Sequence, residues 1–430
     1  MKFFFIFILI FFKINFLLAE NSALFFIELA LKNNPKYNSE KASLKATKQN
    51  KNISRSEFFP NVTISGSLNS SQSNNRIDQS GSPLPDTNSD TETKTFEIEQ
   101  KIFQGFHGYN SLKKSDIEIS QANFMLKSME QNTILDSVSA YTDLLFKIEN
   151  KNFNLDNLNL FERQVETAAA RLQKGEVTLT DLAQAESSLA QARANLILAE
   201  TELLTAISNF ERIIGIKPPD NITNILFDIN LPNSLDEALK ISSKNNPELI
   251  ISRLDYEISK KDLIIEKSKL SPSATINYSK SRSEDLTTTV DKIDKENVKA
   301  TIKWPIISGG KNYSSIKKSK YKKEQTRLLL KDIKNKVKTE TSNAWSIYKS
   351  SKSILNATKA QLEASEIANE GITLEYDSGN TRTTLEVIQS RTLLLDAKIA
   401  YAKAQRNFII SKFKLLAQVG NLSLNSIKKS

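Results

Sequence analysis

Between Leu182 and Ile213 the chain places apolar residues at alternating steps of three and four: Leu182, Ala185, Leu189, Ala192, Leu196, Ala199, Leu203, Ala206, Phe210 and Ile213. Four Leu and one Phe fill one heptad position, and four Ala and one Ile fill the other. A 3.5-residue period keeps one stripe of a helix against a partner, and the small Ala lets that partner come close. Alone, the pattern predicts a coiled coil and nothing more. A second seam lies 203 residues on: Leu385, Ile388, Thr392, Leu395, Ile399, Ala402, Arg406, Ile409, Phe413 and Leu416. Thr392 and Arg406 interrupt it, and Arg406 is expected to lay its stem along the seam with its head in water.

The helical pattern runs far. Neither Gly nor Pro occurs between Ser111 and Lys174, a stretch of 64 residues, nor between Glu176 and Ile214, Lys311 and Glu370, or Asn380 and Val419. A helix as long as the first stretch would extend roughly 96 Å. Compact domains seldom hold helices beyond about 25 residues, so an elongated helical rod is predicted.

The chain is also duplicated. Asn33-Asn34-Pro35 recurs 212 residues later as Asn245-Asn246-Pro247, and Phe58-Phe59-Pro60 answers to Leu270-Ser271-Pro272 at the same offset. After the next loop the offset falls to 204: Leu112-Lys113-Lys114-Ser115 matches Ile316-Lys317-Lys318-Ser319, Ala140-Tyr141 matches Ala344-Trp345, and Gly175 matches Gly379. Two halves sharing one fold are implied.

Each half begins with a helix ending near Phe58 or Leu270, and then the period changes to two. Val62, Ile64, Gly66 and Leu68 alternate with polar residues, and so do Ala274, Ile276 and Tyr278. A polar loop is expected from Ser70 to Thr93. A returning strand sets Phe96, Ile98 and Ile102 against Glu97, Glu99 and Lys101; its counterpart sets Val298, Ala300, Ile302, Trp304 and Ile306 against Lys299, Thr301 and Lys303. Strands of roughly 9–11 residues with one apolar and one polar face match a transmembrane β-strand. Two ordinary half-buried hairpins match the pattern as well. Phe58, Phe59, Phe103 and Trp304 stand near strand ends, where an interfacial aromatic girdle belongs. Spanning strands must close into a barrel, and four are too few. Two chains would give eight strands around a side-chain-filled interior, whereas three would give twelve and a passage. The charged row Glu97, Glu99, Lys101, Lys299 and Lys303 suits a water-filled lumen, which favours the trimer.

The ends and the composition refine this picture. Lys2 precedes an almost wholly apolar run from Phe3 to Leu18, interrupted by Lys13 and Asn15, and Ala19 closes it, so residues 1–19 read as a cleaved secretory signal peptide. A retained anchor is the other reading, because Leu17 is not the small residue preferred two places before Ala19. The expected organisation is a first repeat over 20–214 (hairpin about 59–104), a connector over 215–235, a second repeat over 236–420 (hairpin about 271–308) and a polar, frayed tail over 421–430. With no cysteine, the chain has neither disulfides nor a lipid-modified Cys. The net charge of +10, from 59 basic and 49 acidic residues, is spread along helix faces, and an exported protein does not meet chromosomal nucleic acid.

The chain resembles the TolC family of trimeric outer-membrane efflux and secretion channels over essentially its whole mature length. The most specific segments are Arg171-Leu172-Gln173-Lys174-Gly175-Glu176-Val177-Thr178-Leu179-Thr180-Asp181-Leu182 and Gly379-Asn380-Thr381-Arg382-Thr383-Thr384-Leu385-Glu386-Val387, with the Pro60 and Pro272 strand entries and the turn Ile306-Ile307-Ser308-Gly309-Gly310. The resemblance implies a mainly α fold with a small β part: four transmembrane strands per chain in a twelve-stranded trimeric barrel, continued by long antiparallel coiled-coil helices as an α-barrel tunnel. It further implies a homotrimer set in outer-membrane lipid with its helices in the periplasm. The partners implied are a periplasmic adaptor and an inner-membrane ABC or proton-driven transporter, which supplies the energy for efflux or type I protein secretion.

Residue by residue, the family's periplasmic gate falls on Asp181, Tyr376 and Arg382, with Asp181–Arg382 as a latch between neighbouring helix pairs. Solvated pairs contribute only ~0–1 kcal/mol each, weak enough for a partner to break. Arg382 could instead pair with Glu386 four residues on. The family's entrance constriction carries two acidic residues; here Glu386 holds the first place and Gln389 the second, which predicts a less cation-selective entrance. Gly175, Gly379 and Asn380 mark the turns an adaptor would contact, Asn380 being one residue more than the usual turn.

No active site or cofactor is predicted. His107, beside Gly105 and Gly108, reads as a satisfied turn residue, and one His without Cys leaves no zinc cluster. No phosphate loop or nucleophile elbow occurs. The alternatives to an export duct are a periplasmic structural or adaptor coiled coil outside the membrane, and an envelope hydrolase depending on His107.

Overall fold

The computed structural model describes residues 23–219, 222, 229–287, 290–378 and 382–428. The expected signal peptide and much of the connector lie outside these. Helices α1 (Ala23–Asn33) and α2 (Pro35–Ser56) lead to strand β1 (Asn61–Ser73), the short β2 (Arg76–Ile77) and β3 (Pro83–Leu84), and then β4 (Thr87–Gln104). Helices α3 (His107–Gln173) and α4 (Leu179–Ile214) complete the first half. The second half repeats the order: α5 (Leu235–Asn245), α6 (Pro247–Ser268), β5 (Ser273–Thr287), β6 (Val290–Lys303), α7 (Lys311–Asp377) and α8 (Thr384–Val419), with a short α9 (Leu424–Lys428) last. Both α3 and α7 are 67 residues long. Residues divide into two compact units, one of 1–42, 124–250 and 332–430, the other of 43–123 and 251–331.

The Asn-Asn-Pro repeats are helix starts. Pro35 opens α2, where its missing N–H and fixed φ cost nothing, and Asn34 Oδ1 accepts from the Lys36 and Tyr37 amides at 2.9 and 3.2 Å. Asn246 Oδ1 likewise accepts from Leu249 N at 3.1 Å, while its Nδ2 donates to Gln418 O at 2.8 Å.

In the first unit, the α4 seam divides by side-chain size. Ala185, Ala192, Ala199 and Ala206 are buried, whereas Leu182, Leu189, Leu196 and Leu203 are only half-buried. One core joins Ile134 and Val138 of α3 to Ile27, Leu31, Ala238, Phe413 and Leu416. Another sets the Phe26 ring against Phe210 and Tyr141, with centroids 5.4 and 5.8 Å apart.

One expectation fails here, and a second is refined. The end of the chain is not frayed as far as it is described: Leu422 and Ile427 are buried in the first core, and Leu422 O accepts from buried Gln131 at 3.1 Å. Those two apolar side chains outweigh the polar residues around them. Arg406 meets a partner as well as solvent: its Nη1 donates to exposed Asn407 at 3.0 Å, while its Nε lies 2.9 Å from Asp143 Oδ1 on α3. A carboxylate opposite the seam takes the inner side of the guanidinium.

In the second unit, four strands form one antiparallel sheet in the order β1-β4-β5-β6, leaving β1 and β6 at its edges. Residues directly opposite share a face, so register fixes both surfaces. Val62, Ile98, Tyr278 and Val298 form one row across all four strands; Phe103, Ala274 and Ile302 form another. Glu99, Asn277 and Lys299 make a row on the opposite face. A bulge between Lys101 and Phe103 makes Ile102 the extra residue and gives its place on the apolar face to Phe103.

The strands, of 13, 18, 15 and 14 residues, exceed the expected length. Their ladder continues into segments read as loop, including Ser70–Ser73 and Thr87–Thr93. There the formerly apolar face becomes charged and self-paired, with Arg282–Asp294 at 2.8 Å and Lys292–Glu284 at 3.2 Å. Apolar alternation ends before the hydrogen bonding does.

Gly420 tests how α8 ends. It has φ +80°, and an added Cβ would lie 2.1 Å from Asn245 O. Gly420→Ala is therefore expected to destabilise the protein by about 1–3 kcal/mol or more, read as a lowered midpoint in thermal unfolding followed by circular dichroism.

Candidate functional site

Two regions carry functional geometry, one on the sheet and one at the turns between long helices. On the sheet, Val62, Ile64, Leu68, Val298 and Ile302 are 54, 80, 85, 70 and 79% exposed. Among the described residues nothing lies over this face, which leaves these strands more open than half-buried hairpins. The opposite face carries Glu97, Glu99, Lys101, Lys299 and Lys303, as the alternation implied, and Glu97 accepts a hydrogen bond from Asn277 Nδ2. Among the described residues no helix is long and apolar enough to cross a membrane.

The turn after α3 closes with Gly175 at φ +73°, where its amide donates to Leu172 O and that of Glu176 donates to Arg171 O, both at 2.9 Å. These are the bonds of a left-handed helix stop. Gly379 and Asn380, at the partner turn, lie outside the described residues. Next comes a reciprocal cap. Asp181 accepts from Thr178 N at 2.9 Å and from Thr178 Oγ1 at 2.7 Å, while Asp181 N donates back to Thr178 Oγ1 at 3.2 Å. The second half repeats this with Thr383 and Glu386. The Thr-x-x-acid spacing that signals such a box stands in both turn motifs, and the sequence reading passed over it.

These bonds account for the carboxylates. The Thr178 backbone N–H, then its hydroxyl, hold Asp181 below the usual carboxylate range. The Thr383 backbone N–H, then Arg382, do the same for Glu386.

Arg382 does not meet Asp181 within the chain. Its Nε donates to Glu375 Oε2 at 2.6 Å and its Nη1 to Glu386 Oε1 at 3.0 Å. The pairing with Glu386 along its own helix forms, and Glu375 ties the arginine to α7. Gln389 is exposed, and Glu386 is partly so. Three residues apart, they share a helix face.

Tyr376, the third expected gate residue, is buried at 4% exposure. The Arg171 guanidinium sits 4.3 Å from its ring centre, Gln164 Nε2 donates to its hydroxyl at 3.4 Å, and Thr384 Oγ1 lies 3.3 Å from that hydroxyl. Arg391 Nη1 donates to Gln164 Oε1 at 3.1 Å and Leu160 O at 3.2 Å. Burial pushes the Arg391 guanidinium below arginine's ordinary value, with Asp377 and Tyr376 opposing. Sequence reasoning missed Gln164, Arg391 and Thr384. The signal was a polar seam on α3: buried Asn154, Asn157, Phe161, Gln164 and Ala168 keep the three–four spacing, but a search for apolar residues skips them.

His107 Nδ1 lies 3.0 Å from Glu57 Oε2, a turn residue with its partner. No group of His, Cys, Asp and Glu among the described residues could hold a metal ion.

The outer membrane efflux protein family matches residues 26–216 and 238–421. The chain is 26% identical over 399 residues to the outer membrane efflux protein BepC of Brucella suis, spanning 93% of this chain and 85% of that protein. It is 22% identical over 406 residues to the outer membrane protein TolC of Escherichia coli, spanning 91% and 80%. Its fold superposes on the CmeC outer membrane channel of Campylobacter jejuni with a TM-score of 0.81 at 14% identity, over 95% of this chain and 89% of that one. With matched segments in both halves, on a four-stranded sheet bare on its apolar side and paired long helices, the chain belongs to the outer membrane efflux protein family, a TolC-type channel protein.

Proposed function

We propose that three copies of the chain join their sheets edge to edge, β1 of one to β6 of the next, into a twelve-stranded barrel that serves as a passive export duct. The carrying observation is the open sheet whose exposed apolar rows end at unpaired strand edges. Full burial of each Val, Leu or Ile on that face contributes about 1.5–3 kcal/mol, so lipid is its natural neighbour. In this reading the polar face lines the water path, the helices extend it through the periplasm, and an adaptor with an inner-membrane ABC or proton-driven transporter supplies cargo and energy. Efflux of small molecules and type I secretion fit the duct equally. The chain itself catalyses no reaction.

The gate reading rests on the turn geometry. Arg382 of one copy takes Asp181 of its neighbour as the latch, in competition with Glu375 and Glu386 of its own chain. Tyr376 and its buried network hold the helix ends in register behind it. Glu386 and Gln389 line the entrance, and the turns at Gly175, Gly379 and Asn380 face the adaptor.

Purified protein in planar bilayers tests the whole. Trimers extractable only with detergent and conducting ions are expected, whereas detergent-free extraction with no conductance would favour the periplasmic coiled coil. Arg382→Ser is expected to raise single-channel conductance, and Glu375→Gln, which removes a competitor for Arg382, to lower it or leave it unchanged; an equal rise in both would assign Arg382 to its own chain alone. Gln389→Asp is expected to increase block by divalent cations, and an unaltered block would place residue 389 off the water path.

A further inference from the structure

The polar face of the sheet is not electrically uniform along the strands. Nearest the helices lie two rows with no carboxylate: Gln104, Ser273 and Lys303, then Lys101, Thr275 and Thr301. Carboxylates begin one row further, where Glu99 stands across Asn277 from Lys299, and then Glu97 follows. A cavity of about 390 Å³ opens at these first rows, lined by Lys101, His107, Lys269, Ser273, Thr275 and Lys303 among others. No acidic residue lines it. The surrounding acids are engaged: Glu57 lies 3.0 Å from His107, and Glu266 pairs with Lys269 at 2.7 Å. Lys101 and Lys303 are exposed, and among the described residues neither has an ion-pair partner.

We propose that Lys101 and Lys303 form a cationic collar at the foot of the barrel that binds and selects anionic solutes, those bearing phosphate or carboxylate groups. This rests on the trimeric duct of the preceding section, in which the collar is repeated around the pore. Two uncompensated ammonium groups per chain become six around one lumen. Rings of like charge are how pores choose the sign of what passes. The nearest acid on the same strand, Glu99, is two residues from Lys101, about 6.6 Å. That is inside the Debye length of about 8 Å at physiological salt, so Glu99 is felt at the collar, but two lysines face one carboxylate there and Lys299, in the Glu99 row, offsets that carboxylate. The Thr275 hydroxyl beside the lysines supplies a donor for an oxyanion, while that of Ser273 donates to Lys303 O at 3.3 Å; three-donor ammonium groups bind phosphate as point charges.

The test uses the full-length channel in planar bilayers with a potassium chloride gradient, and inorganic phosphate as the probe. The expected wild type has a reversal potential on the anion side, and phosphate reduces its current. The Lys101→Gln, Lys303→Gln double variant should shift the reversal potential toward the cation side and weaken the phosphate block by about tenfold or more, while Lys101→Arg with Lys303→Arg retains both. A conducting double variant with unchanged selectivity and block would overturn the collar and leave the duct standing. A cation-selective wild type indifferent to phosphate would overturn it without any variant. Absence of all conductance would overturn collar and duct together.

Discussion

A backbone N–H or C=O left without a partner in hydrocarbon costs several kcal/mol. Strands β1 and β6 each present a row of such groups. The apolar rows on the same sheet are bare of protein and suited to lipid, so the edges cannot be left to water. Side chains cannot satisfy these edges, and a four-stranded sheet is too narrow to curl onto itself. In the proposed trimer another copy supplies a strand of matching length and alternation. Backbone hydrogen bonding then favours assembly before any side chain at the interface is considered.

Different energies govern different parts of the chain. Each apolar side chain moved from water into lipid contributes about 1.5–3 kcal/mol, and many act together, so the inserted sheet is a fixed support. The helix turns rest on smaller quantities. A capping box is worth about 1 kcal/mol, and a solvated ion pair such as Arg382 with Glu375 contributes ~0–1 kcal/mol. Exposed pairs of this strength are weak enough for a docking partner to break, as the proposed gate requires. Tyr376 and Gln164 are buried and hydrogen-bonded to each other, and half-buried Arg391 bonds to Gln164, so their rearrangement costs more, which suits them to holding helices in register.

The places where reading the sequence misled are informative. An apolar-only search saw the Leu/Ala seam of α4 but not the Asn154–Asn157–Gln164 seam of α3, because paired amides can occupy heptad sites when their partners are also polar. The tail read as frayed because its average is polar, yet two apolar residues, Leu422 and Ile427, were enough to dock it. The hairpin loops read as long because alternation ended at the apolar band, while the ladder ran on through ion-paired rows.

Periodicity and duplication alone determined the helix lengths, the four alternating strands and the common plan of both halves. Those follow from local rules, since a 3.5- or 2-residue repeat states which face is apolar. The site was only partly legible in the same way. Asp181 and Glu386 were marked by resemblance, and their Thr-x-x-acid spacing was there to be read. What tertiary structure decided was partnership. It set Arg382 on Glu375, Arg406 on Asp143 and Tyr376 on Gln164, across 7, 263 and 212 residues of chain, and it aligned strand rows so that two lysines lie in rows without a carboxylate. Such pairings depend on which elements pack together and in what register, and no local pattern encodes that.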